Sequence, residues 1–140
     1  MASVIQDIED NLITILGEIS GLQQVEPYVE SPETVIRPCI MVLLKGGTNE
    51  NASDGNVNRK VEIHLVCIGV ARKSTGLSAK EVMSRAVAKL YEDDAHRTIN
   101  GTVHQLTQAD WESLPHTKDR PYSAEVPKFF AKLTTPEGVI

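Results

Sequence analysis

The segment Met41–Ala71, MVLLKGGTNENASDGNVNRKVEIHLVCIGVA, decides how this chain folds. Two apolar runs flank a polar insert. In the second run the odd positions Val61, Ile63, Leu65 and Cys67 are all apolar. The even positions begin with Glu62 and His64 and turn apolar at Val66, Ile68 and Val70. Alternation with period two marks a strand, and a strand apolar on both faces needs cover on both sides. One cover is expected from helices and the other from a neighbouring subunit. The insert is rich in Gly46, Gly47, Asn49, Asn51, Asp54, Gly55, Asn56 and Asn58, residues that favour turns. It reads as a long polar hairpin loop, Gly46 to Asn58, joining the run CIMVLLK to RKVEIHLVCIGVA. Lys45 precedes the two glycines and a strand follows them, which is the wrong order for a phosphate loop, GxxxxGK[ST] ahead of a helix. A hairpin symmetric about Ser53 would set Cys39 opposite Cys67 as neighbouring thiols.

Working outward, Val4, Ile5, Ile8, Leu12, Ile15, Leu16 and Ile19 recur at helical spacing. Ser3 with Gln6 suits a capping box and Gly21 suits the stop. Pro27 and Pro32 bar a central strand from Gln23–Pro38, which reads as a short edge strand and an irregular loop. A second helix is expected over SAKEVMSRAVAKLYEDD, with Ser78 and Glu81 as its capping box and Leu77 as a staple. TVHQLTQADWESL predicts a strand of interrupted alternation, HTKDRP a loop, and YSAEVPKFFAKLTT a final strand. Its apolar parity flips across Pro127, which predicts a bulge and an edge position. The expected architecture is α+β: a mostly antiparallel β-sheet, two α-helices packed on one face, and a long β-hairpin loop. Residues 1–135 read as a single domain and 136–140 as a loose tail.

The 140 residues are the size of one domain, and 41% hydrophobic content supports a core built mainly from aliphatic side chains. No apolar run approaches the roughly 20 residues of a membrane helix. The early acids Asp7, Glu9 and Asp10 argue against a secretory leader and point to assembly in the cytoplasm. A net charge of −5 does not suggest a duplex-binding face.

Chemistry-bearing constellations are sparse. Cys39 and Cys67 lack metal-ligand spacing, and the four histidines are scattered, so neither a metal nor a cofactor is expected. Glu92, Asp93, Asp94 and His96 follow the second helix and read as a solvated helix end. Asp110 and Glu112 read as a wet strand edge, His64 as a hydrogen-bonded strand residue, and Ser53 and Ser113 lack a nucleophile context. No catalytic residue is expected. Trp111, the lone tryptophan, is either a core plug or an interface anchor.

An N-terminal amphipathic helix, the strand RPCIMVLLKGG, a polar hairpin, the strand VEIHLVCIGVA, a capped helix and a closing strand pair together resemble the tail terminator (tail completion) proteins of tailed bacteriophages, the lambda U-like group. The likeness covers nearly the whole chain and lies in element order, not in a sharp motif. It implies a non-enzymatic virion protein at the tail–neck junction, assembled in the host cytoplasm. Such a protein forms a hexameric ring that caps the tail tube, stops its polymerisation and meets the neck or head-completion protein. A sheath-terminator region is a further partner if the tail contracts, and DNA passes the channel without specific binding. By element, Gly46, Gly47, Asn49, Glu50, Asn51, Asp54 and Asn56 would reach a partner. Val66, Ile68 and Val70, with Trp111 and Phe130, would pack the ring. On this expectation Val66→Asp leaves a folded monomer that cannot close a ring. The rivals are a connector, neck or other minor tail protein, and a small enzyme or ligand-binding domain.

Overall fold

The computed structural model of the chain describes residues 3–29, 37–52, 54–70, 76–117 and 122–140. Ser53, Pro32 and the end of HTKDRP lie outside them, as do expectations placed there. Helix α1 spans Val4–Leu16 and buries Ile8, Leu12, Ile15 and Leu16. Ser3 Oγ accepts from the Gln6 N–H at 3.3 Å, but the return arm of the expected box is not made. Gln6 instead donates its amide to Glu9 and Asp10 one turn on. The helix stops at Leu16 with Gly17 as its cap, earlier than Gly21, whose φ of 91° serves the following turn. Helix α2, Ala79–Leu90, starts in a complete capping box between Ser78 and Glu81. A one-turn helix α3, Asp94–Arg97, is capped by Asp93 and had no periodicity to announce it.

The strands are β1 (Gln24–Pro27), β2 (Cys39–Asn51), β3 (Asn56–Ile68), β4 (Gln105–Leu114) and β5 (Ala124–Pro136). They form one sheet in the order β1-β2-β3-β5-β4. Only β1 and β2 run parallel; the other three pairs are antiparallel. The fold is therefore the expected α+β class, with α1 and α2 packed on the sheet. β1 holds the edge position that its proline demands.

Three expectations about the strands change. The polar insert is not a long loop: β2 and β3 pair as far as Asn51↔Val57, with Asp54 and Gly55 in the turn between them. Glycine and asparagine disfavour strands locally, but β5 pairs with β3 out to Asn56↔Pro136 and tertiary pairing wins. The register slips between Leu44 and Gly46, so Lys45 is the extra residue of a β-bulge. The tip pairs are centred on Asp54, and beyond the bulge Cys39 pairs with Ile68 and Cys67 with Ile40, so the two thiols lie on opposite faces. Finally, β5 is central, flanked by β3 and β4. Its parity flip needs no bulge within it, because one register with β3 runs from Pro136 to Ala124. Even-numbered Ala124 and Val126 serve one face; odd-numbered Phe129, Ala131 and Leu133 serve the other. Pro127, which has no N–H, sits where the β3 ladder is interrupted and where β4 shifts register between Gln108 and Trp111.

Two cores result. The larger lies between the helices and the inner sheet face, around Ile8, Leu12, Leu65, Val82 and Phe129. The smaller lies on the outer face and comprises Cys39, Met41, Val66, Ile68, Ala124 and Val126, with Leu114 and Tyr122 packed against it. The tail is not loose. Ile140 O accepts from the Ile5 N–H at 3.0 Å and from Ser3 Oγ at 2.8 Å, and Val139 O accepts from Arg59 and Thr135.

Candidate functional site

The outer sheet face divides in two. At the end of the strands away from the hairpin tip it is the small apolar core. Toward the hairpin tip it becomes polar, with Thr48, Glu50, Lys60, His104, Lys132 and Thr134 around a shallow concavity of about 510 Å³. The sequence-singled residues of β2 and β3 belong to this tip. Asn49 turns inward onto Arg59, and Asp54 and Gly55 take positive φ in the turn. Gly46 (φ 127°) sits at the bulge, and a Cβ on Gly47 would collide with the Lys60 carbonyl. The two glycines are thus required by strand geometry, which answers why they follow Lys45.

Phe130 is half-buried on the outer face beneath the Lys60 ammonium, 4.2 Å from its ring centroid. Lys60 also stands directly opposite Lys132. Among the described residues neither lysine has a carboxylate within ion-pair distance. His64 and Glu62 on the same face are 2.8 Å apart. Val66 and Ile68 are 8% and 0% accessible, buried within the single chain. This corrects the expectation of an open sheet face at these two positions. Leu114 and Tyr122 pack against this cluster, and its burial is complete within the single chain. Val70 is half-buried and donates its N–H to Leu77 O.

Trp111 is 63% accessible, which resolves its alternatives against a core plug. It pairs with Pro127 at the free edge of the sheet and borders a groove of about 450 Å³ between β4 and α2. Met83, Val87, Pro127 and Phe129 line that groove, making an apolar floor beside an exposed indole. At the opposite edge Tyr28 and Val29 follow β1, 42% and 37% accessible. Sequence reasoning missed these two; the clue available was their place just after the proline that ends an edge strand. It also missed Arg59, whose odd parity with Val57 and Val61 put it on the inner face.

The acidic cluster after α2 is built on ion pairs of Lys89, with the His96 ring among the same carboxylates. Lys89 Nζ lies 3.4 Å from Glu18 and 3.1 Å from Glu92, and His96 lies within 3.7 Å of Glu18, Glu92 and Asp93. The hydrogen bond to Glu92, first, holds the Lys89 ammonium above its ordinary range. The cluster ties the ends of α1, α2 and α3 together. Among the described residues no set of three or more His, Cys, Asp and Glu could hold a metal ion, and no helix is long and apolar enough to cross a membrane. Both cysteines are free and buried, and burial pushes the Cys39 thiol up to about 11 and the Cys67 thiol further.

Comparison with known proteins returns no matching family model and no matching curated protein.

Proposed function

We propose that the chain is a structural protein of a tailed-bacteriophage virion. In this reading it forms a ring that caps the tail tube, ends tube polymerisation and offers the joining surface for the neck. The element order that resembles tail terminators supports it. The observation that carries most weight is Trp111: a large aromatic left two-thirds exposed beside an apolar groove suits an assembly anchor. The polar tip of β2 and β3 is the part available to a tube or neck protein.

Light scattering of the purified protein with negative-stain images of the same sample tests the reading. The expected result is a ring of about six subunits, formed alone or on addition of assembled tails. A protein that neither forms a ring alone nor binds the ends of tails counts against it, and favours a connector, neck or ligand-binding role.

A further inference from the structure

The four exposed large hydrophobic residues among those described are Tyr28, Val29, Trp111 and Ile140. Three of them lie at the two outermost strands of one sheet: Tyr28 and Val29 beside β1, Trp111 on β4. These edges are the places where a sheet can accept a further strand. We propose that they are the two halves of one contact between copies of this chain, with the Tyr28–Val29 edge of one copy seated on the Trp111 groove of the next. The inference rests on the proposed ring and names the surface that closes it.

Strand direction favours this pairing. β1 runs parallel to β2, and the successive antiparallel steps to β3, β5 and β4 leave β4 opposed to β1. In a ring whose axis follows the strands, every copy keeps the same strand sense. The β4 of one copy then meets the β1 of its neighbour antiparallel, the more common and slightly more stable strand geometry. The contact is heterologous, because different patches meet, so it propagates and ends only by closure. A contact through the buried Val66 and Ile68 would instead require the chain to open its own second core.

Trp111→Glu and the double variant Tyr28→Glu/Val29→Glu are purified, checked for native circular dichroism and run in an analytical ultracentrifuge. Each alone is expected to sediment as a monomer. Mixed in equal amounts they are expected to give a one-to-one dimer and nothing larger, since each retains the half that the other lacks. A mixture that stays monomeric, or a Trp111→Glu protein that associates as wild type does, overturns the proposal. For wild-type protein that is monomeric when dilute, Val29→Cys/Asp110→Cys, which keeps Tyr28 and Trp111, is treated with a short bis-maleimide at high concentration. A ladder of trimers and higher species upholds the contact. Species no larger than dimers, or monomers alone, overturn it and leave the groove to another occupant. None of these readouts involves tails, so the contact can fail while the tail-capping role survives, and the reverse.

Discussion

Arg59 and Asn49 face each other across β2 and β3, and Arg59 Nη1 donates to Asn49 Oδ1 at 3.0 Å. The same guanidinium donates to Thr135 Oγ1 at 2.8 Å and to Val139 O at 3.0 Å. Arg59 is 7% accessible, and no carboxylate pairs with it among the described residues. A buried cation satisfied only by neutral oxygens must keep all of those bonds. It therefore acts as a latch that holds the C-terminal residues against β3 and the start of α1.

Arg59→Ala is expected to lower unfolding stability by about 2 kcal/mol, because it strips partners from three oxygens at once. Amide exchange at Ile5, whose N–H donates to Ile140 O, should accelerate. Arg59→Lys should not restore the latch, since an ammonium lacks the planar fork that reaches three acceptors. An unchanged urea midpoint in the alanine variant would show that the latch contributes no net stability.

The thiols give a pH prediction. Burial raises both Cys39 and Cys67, and burial also raises Tyr91, whose hydroxyl donates to Leu106 O. Groups raised in the folded state keep protons that the unfolded chain releases, so stability is full below about pH 9 and falls as pH climbs toward 11 and beyond. Cys39→Ala/Cys67→Ala should flatten that fall without abolishing it, because Tyr91 remains. Neither native thiol should react with a thiol reagent at pH 8 until the chain unfolds, and no disulfide should form across opposite faces.

How much of this was legible depended on whether a signal was local. Ser78 and Glu81 announced α2 because a capping box is written within four residues. The apolar alternation of β3 and its passage from Glu62 to Val66 described both faces of the sheet correctly. The register was hidden, because the tip pairs are centred on Asp54, one residue beyond the expected centre, and one bulged residue, Lys45, then slips the pairing and puts Cys39 and Cys67 on opposite faces. The extent of β2 was hidden too. GGTNEN is a poor strand in isolation, and only its pairing with a β3 that β5 supports throughout holds it extended. Trp111 could be narrowed but not placed, since the groove beside it is made by α2, more than twenty residues upstream.

Lys60 and Lys132 offer a stabilising substitution. Like charges directly opposite on a sheet repel, and this pair has no carboxylate to relieve it among the described residues. Lys132→Glu should raise stability by about 0.5 kcal/mol, with the gain shrinking in high salt. The comparison is urea unfolding of both proteins at low and high ionic strength. A loss of stability would mean that Lys132 is already compensated.

Val66→Asp now carries the opposite expectation from the one that the sequence suggested. An open sheet face would tolerate the carboxylate and lose only its partner. Val66 instead packs with Cys39, Met41 and Ile68 and is 8% accessible. Burying an unpaired carboxylate there should cost about 3 kcal/mol or more, a large share of the stability of a domain this size. The urea midpoint should fall sharply while that of Trp111→Glu stays near wild type, because Trp111 is exposed. Should Val66→Asp unfold like wild type and lose only its ability to associate, the outer core would be an interface after all, and the edge contact would have to be given up.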